Sequence, residues 1–302
     1  MALMHLLALW SAMSSRPPVI AATVDHGLRP EAAAEAAFVA NEAAALGWPH
    51  RTLVWTGPKP QTGLQEAARE ARYRLLVQCA RLEGASHLVT AHTQDDQAET
   101  IMMRLARGSG LAGLAGMRTE RDLEGIRHVR PLLGCPKAAL LDLCRKEGWR
   151  YVSDPSNADA RFARVRWRRI MPALAEEGLT AERLGRLARR ASLAEEALET
   201  KAREALGRAR PERRDGGLNL EAAPLADEPF EIALRMLAQA LAEAGFGLEG
   251  SRLQRLEAST ERLREALRGG QALRLTIAGA LVDLDRAGRL LIRPEPPRRR
   301  GR

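Results

Sequence analysis

Along the first half of the chain, apolar runs of strand length alternate with stretches of helix length, and few folds accommodate that order. Residues 19–24, 50–55, 86–90 and 126–129 read as strands, each a short apolar or β-branched run closed by turn-forming residues. Residues 31–46, 63–82, 94–107 and 136–148 read as the helices that follow them. Strands separated by helices pair in parallel and are covered on both faces, so the expected fold is a doubly wound α/β sheet. Open sheets of this kind bind ligands beyond the carboxyl ends of their strands.

The residues after the strand at 86–90 carry the densest chemistry. If the helix begins there, His92, Asp96 and Glu99 fall at i, i+4 and i+7 and share one face. Asp95 lies beside them, and Arg104, Arg107, Gly108 and Gly110 follow. Three readings fit these residues. The carboxylates could be a capped, solvated first turn favoured by the helix dipole. They could be a transition-metal site, although no spacing supplies a further ligand. They could be oxygen ligands for magnesium on a nucleotide, with the arginines on phosphate.

A chain of 302 residues with 45% hydrophobic content can bury one large core and a second, smaller one. The formal charge of +9, dominated by arginine, favours a polyanionic partner. Cys79, Cys135 and Cys144 form no C-x-x-C pair, which argues against a disulfide framework or an iron–sulfur cage and fits a reducing cytoplasm. Residues 1–10 are apolar but lack a basic n-region and are too short to span a bilayer, so no membrane role is expected. They read as a helix with Leu3, Leu6, Leu7 and Trp10 on one stripe, buried over most of its surface.

Asp154-Pro155-Ser156-Asn157 is a turn cluster that marks a change of character. Beyond it, residues 161–169 are strongly basic, with Phe162 and Trp167 interleaved, and residues 180–208 read as one long helix. A polar linker is expected at 211–217. Two helices and strands at 272–277, 280–284 and 290–292 then make a small α+β unit. The expected divisions are a catalytic domain at 1–155, a basic helical linker at 156–210, the small domain at 211–294 and a disordered tail at 295–302.

Five motifs in order carry a resemblance to a known family. They are Asp25-His26-Gly27-Leu28-Arg29, residues 65–73 from Gln65 through Arg69 and Arg72 to Tyr73, residues 92–117, Arg130-Pro131-Leu132-Leu133, and Asp154-Pro155-Ser156-Asn157 with the arginines that follow. The chain resembles the tRNA(Ile)-lysidine synthases of the N-type ATP pyrophosphatase, or PP-loop, superfamily. The resemblance is close over residues 1–172 and loose beyond. It implies that ATP adenylates the C2 oxygen of the wobble cytidine in a CAU-anticodon tRNA(Ile), and that the amine of L-lysine then displaces AMP. It further implies Asp96 and Glu99 as ligands for Mg2+ or the lysine ammonium, His92 as a group positioning phosphate or the attacking amine, and Arg72 with Arg69 as a phosphate or base clamp. Asp25, His26 and Gly27 would cup the adenine or ribose. Arg107 and Gly108, with residues 113–116, would form a flexible loop that closes over substrate. Arg161, Arg164, Arg166, Arg168 and Arg169 would hold the tRNA, with stacking on Trp167 or Phe162.

One departure stands out. The family's first strand and its Ser-Gly-Gly-x-Asp-Ser phosphate loop precede the helix that occupies residues 1–10, and neither is among these residues. That strand is usually central, so a gap in the sheet and weak ATP binding by residues 1–302 are expected. A 2-thiolation enzyme of the same superfamily is the alternative, disfavoured by the missing C-x-x-C pair; a non-catalytic RNA-binding remnant is another. A homodimer is the default oligomer.

Overall fold

The computed structural model describes residues 1–13, 17–28, 31–152, 163–214, 216–247 and 253–295. The turn at Asp154-Pro155-Ser156-Asn157, Arg161, Phe162 and the end of the basic tail lie outside the described residues. The chain divides into two compact units, Met1–Ser192 and Leu193–Arg302. The sequence had suggested divisions near 155 and 210; the compact units meet instead inside a single helix, α8 (Ala181–Arg208).

In the first unit, β1 (Ala21–Asp25) and β2 (His50–Val54) pair in parallel, joined by α2 (Ala32–Ala45). Helix α3 (Leu64–Leu82) leads to β3 (His87–Val89), which pairs in parallel with β5 (Ile126–Val129). Between them run α4 (Gln94–Leu105), α5 (Leu111–Leu114) and β4 (Glu120–Leu123), and α6 (Lys137–Lys146) follows. The expected parallel α/β architecture is present. β4 was not anticipated, because Glu120-Arg121-Asp122-Leu123 has no apolar alternation. It is an edge strand paired antiparallel to β5 alone, and an edge tolerates charge.

Helix α3 packs against strands of both small sheets, β1 and β2 on one hand and β3 and β5 on the other. Yet among the described residues β1 pairs only with β2, and β3 only with β5. Each therefore keeps one edge of unpaired backbone groups where a continuous sheet would have a ladder.

Helix α1 (Ala2–Ser11) departs from expectation. None of its residues is buried, and Leu9 is 63% exposed. It packs on α6, and its closest aromatic contact is His5 stacked on Trp149 at 4.6 Å, so only one side of the apolar stripe finds cover.

Helix α7 (Ala163–Glu176) carries the basic segment and lies against α4. Trp167, Met171 and Leu174 recur at i, i+4 and i+7 and pack on Ala98, Ile101, Met102, Leu184 and Ala188. Trp167 is thus a core side chain here, not a free platform for a nucleobase.

The second unit is an antiparallel sheet of five strands with helices α9 (Ala223–Asp227), α10 (Phe230–Glu243) and α11 (Leu253–Arg268). Its strands are β6 (Glu212–Arg214), β7 (Gly217–Glu221), β8 (Leu273–Ile277), β9 (Ala280–Leu284) and β10 (Arg289–Pro294), in the order β6-β7-β10-β9-β8. The segment expected as a polar linker supplies β6 and the start of β7. Glu212, Arg213 and Arg214 hid that edge strand, since all three are exposed. Gly217 is required there: a Cβ would stand 2.6 Å from the Ile292 carbonyl oxygen. Inside the unit, Arg235 makes two bonds to Glu195 at 2.6 and 2.9 Å and reaches Glu199 and Glu231 at 2.8 Å, a half-buried cation fully met by carboxylates. No helix among the described residues is long and apolar enough to cross a membrane.

Candidate active site

The carboxyl ends of β1, β3 and β5 and the second and third turns of α3 bring residues to one region of the first unit. At β3, Thr93 rather than His92 opens the helix. Its side chain and the Asp96 carboxylate form a reciprocal capping box: the Thr93 backbone N–H and hydroxyl donate to Asp96 Oδ2 at 2.9 and 2.8 Å, and the Asp96 N–H donates to Thr93 Oγ1 at 3.4 Å. His92 therefore precedes the helix and does not share its face, as the spacing had suggested. The Asp95 carboxylate accepts from the Lys137 N–H at 2.7 Å, holding the start of α6.

Glu99 is 2% exposed, and its two oxygens accept from Arg168 Nε at 2.7 Å and Nη2 at 3.2 Å. Arg168, expected on the tRNA, faces inward because Trp167, Met171 and Leu174 dock α7 on α4 and carry it there. Among the described residues no three His, Cys, Asp or Glu side chains converge on a point where a metal could sit. With Asp96 Oδ2 in a cap and both Glu99 oxygens on a guanidinium, a magnesium ion would meet Asp96 Oδ1 rather than the expected carboxylate pair. A cleft of about 290 Å³ opens beside this pair, lined by Asp95, Glu99, Lys137, Arg168, Met171 and Pro172.

The cationic side of the site is more distinctive. The guanidinium carbons of Arg69, Arg72 and Arg121 lie 5.2, 5.3 and 5.1 Å from the centre of the Tyr73 ring. Arg130 is 2% exposed and donates to the Arg118 carbonyl at 2.6 Å and to His128 at 3.2 Å. Among the described residues no carboxylate lies within ion-pair distance of any of these four arginines. The Tyr73 hydroxyl and Arg130 Nε are both buried, and the Tyr73 phenol and the Arg130 guanidinium are close enough to interact directly. The local potential is strongly positive. Burial would raise the Tyr73 phenol pKa, but Arg69, Arg72 and Arg130 outweigh it and bring it below its usual value. Arg130 is itself lowered, by burial first and then by Arg121 and Arg69 despite the opposing pull of Tyr73. A group of guanidiniums of this kind has the charge and the fixed donors to hold an anion.

At the end of β1, Asp25 Oδ1 accepts from the Gly27 N–H at 2.7 Å, a tight turn whose Gly27 φ of +60° suits glycine. His26 stands edge-on to Trp55 at 6.0 Å, and its imidazole pKa is lowered by burial and by Arg72. Arg72 thus lies between the His26 and His92 neighbourhoods. Arg107 and Gly108 sit at the exposed end of α4. The loop beyond them is tethered: Arg104 donates to the Gly113 and Gly116 carbonyls at 3.2 and 2.7 Å, and Gln97 exchanges two bonds with Met117. A Cβ on Gly116 would meet Gln97 at 2.7 Å. A freely closing loop is not what these contacts describe. Arg164 is half-buried near His92, whereas Arg166 and Arg169 are exposed.

A PP-loop domain family matches residues 1–174. The tRNA(Ile)-lysidine synthase of Methylobacterium nodulans is 57% identical over 94% of this chain and 84% of its own length. That of Rhodopseudomonas palustris is 48% identical over 99% of this chain and 88% of its own. The chain belongs to the tRNA(Ile)-lysidine synthase family. The U34-tRNA thiolase NcsA from Methanococcus maripaludis shares the fold, with a TM-score of 0.54 at 16% identity over 63% of this chain and 67% of that one. Membership in the lysidine synthase family makes this a ligase of the PP-loop class and favours ligation over thiolation.

Sequence reasoning did not single out His128, Tyr73 or Thr90. A cue was present: Ile126, His128 and Arg130 alternate along β5, and all three are buried, so a histidine and an arginine share the inward face of a strand. His128 is fully buried, and burial pushes its pKa down to about 3, reinforced by Arg130 and Arg121. Burial likewise takes His92 to about 4; Asp96 opposes, while Arg130, Arg72 and Arg164 add to the fall. An unfolded histidine binds its proton near pH 6.5, so between that value and about 4 the unfolded chain holds more protons than the folded one. Stability is fully present above about pH 6.5 and is expected to fall as pH drops toward 4, by up to about 1.4 kcal/mol per pH unit for each histidine. Urea midpoints at pH 7 and 5 check this; an unchanged midpoint, or a His128→Asn variant losing as much as the parent, would count against it.

Proposed function

We propose that this protein attaches L-lysine to C2 of the wobble cytidine of CAU-anticodon tRNA(Ile), using ATP and passing through an adenylated cytidine. The observation that carries the reading is the group of Arg69, Arg72, Arg121 and Arg130 without a carboxylate partner, at the sheet edge where ligands bind, in a chain of this family. Adenylation builds negative charge on the departing pyrophosphate, and preorganised guanidiniums stabilise charge that develops there. Arg72 and Arg69 are the clamp, while Asp25, His26 and Gly27 cup the nucleoside. His92 positions a phosphate oxygen.

The cleft beside the Glu99–Arg168 pair suits lysine, with the Asp95 carboxylate on its lining for an ammonium and Met171 and Pro172 for its aliphatic stem. The exposed arginines Arg166 and Arg169, with Arg164, hold the tRNA backbone through salt-dependent contacts. The reaction belongs to the cytoplasm, where tRNA and ATP meet. No step is assigned to a metal ion.

Incorporation of radiolabelled lysine into a CAU tRNA(Ile) transcript, with AMP counted in parallel, tests the assignment. Incorporation that depends on ATP, releases AMP and is absent with a methionine tRNA is expected. Equal incorporation into both tRNAs would overturn the specificity, and incorporation without AMP release would overturn the adenylated intermediate.

A further inference from the structure

Thr90, His92 and His128 form a continuous chain of hydrogen bonds whose direction is set at one end. His128 Nδ1 faces two guanidiniums, Arg121 Nε at 3.3 Å and Arg130 Nη2 at 3.2 Å. Guanidinium nitrogens only donate, so this Nδ1 must be the bare, accepting nitrogen. The single proton of the neutral His128 ring then sits on Nε2, which lies 2.8 Å from Thr90 Oγ1. A hydroxyl that accepts from His128 has one proton to give, and His92 Nδ1 stands 2.8 Å away. Donation from Thr90 leaves His92 Nδ1 bare and puts the His92 proton on Nε2. In the reverse arrangement His92 Nδ1–H would donate to Thr90, whose own proton has no other acceptor in the hydrogen bonds of this region.

We infer that His128 and Thr90 are positioning residues that lock His92 in the Nε2–H tautomer, so that the nitrogen facing away from Thr90 is a hydrogen-bond donor and not a proton acceptor. Its ligand is an oxygen carrying negative charge, such as a phosphate or carboxylate oxygen. This identity of the ligand rests on the function proposed above; the tautomer does not. His92 consequently does not take the proton from an attacking ammonium at neutral pH. The relay also explains why a histidine is buried among arginines at all: a neutral imidazole is an acceptor on one side and a donor on the other, which neither asparagine nor leucine reproduces at this geometry.

The test is nitrogen-15 NMR of histidine-labelled protein at pH 7, with no ATP, lysine or tRNA present, so it stands apart from the activity assay. His92 and His128, assigned by single substitution, are expected as neutral rings protonated on Nε2. In Thr90→Val, His92 is expected to become a mixture of the two neutral tautomers while His128 keeps its proton on Nε2, and Thr90→Ser is expected to restore the parent spectrum. His92 protonated on Nδ1, or on both nitrogens, in the parent protein overturns the inference. So does a His92 signature unchanged by Thr90→Val. If that variant does not fold, the parent and Thr90→Ser spectra still decide, because both must show His92 protonated on Nε2 alone.

Discussion

Replacing Arg168 with alanine is expected to lower the stability of the first unit by about 2–3 kcal/mol, because Glu99 would be left charged and buried. Removing one partner of a fully buried pair costs about 3–5 kcal/mol. The lower value reflects Arg168, whose side chain is 35% exposed while that of Glu99 is 3% exposed, so water partly replaces the lost donor. Glu99→Gln should cost about 1 kcal/mol, since it deletes the charge together with the ion pair and keeps an acceptor. The double variant should be more stable than Arg168→Ala alone, a coupling that two independent surface residues would not show. All five tryptophans, Trp10, Trp48, Trp55, Trp149 and Trp167, lie in the first unit, so urea titration followed by tryptophan fluorescence reads that unit by itself. A loss under about 0.5 kcal/mol, or strict additivity in the double variant, would refute the account. The same geometry implies that Arg168→Ala leaves the salt dependence of tRNA binding almost unchanged, since that guanidinium is engaged with Glu99.

Arg72→Ala should do the opposite: little change in stability and a fall of about 100-fold or more in tRNA-dependent AMP formation. Arg72 has no carboxylate partner among the described residues, and its close contact is the Tyr73 ring at 5.3 Å. Its removal relieves repulsion from Arg69 and Arg121, which offsets the lost cation–π contact of about 0.5–1 kcal/mol. What it loses is charge stabilisation of the departing pyrophosphate. Arg72→Lys keeps the charge but not the fork, and an intermediate rate is expected. A variant with parental activity and a markedly lowered urea midpoint would make Arg72 a structural residue and remove the centre of the proposed anion site.

The contrast between these two arginines shows where sequence reading stops. Both sit in motifs recognised from the chain alone, Arg72 on the α3 segment and Arg168 in the basic run, and both were expected to meet a ligand. Arg72 remains available for one because α3 turns it toward Tyr73 and other arginines. Arg168 does not, because Trp167 and Met171 are drawn into the core beneath α7 and turn it onto Glu99. A basic run reports charge; only packing reports which of its members face water.

The alternation of strands and helices, the boundaries of α3 and β5 and the family were legible from the residues themselves, since hydrophobic period and capping signals act over one or two turns of chain. The edge strands β4 and β6 were not, because charged edge strands owe their form to a neighbour's backbone and leave no apolar pattern. The direction of the Thr90–His128 relay was not legible either. It depends on two arginines, one from β4 and one just past β5, converging on a single imidazole nitrogen, and contacts between residues distant in sequence exist only once the sheet has brought them together.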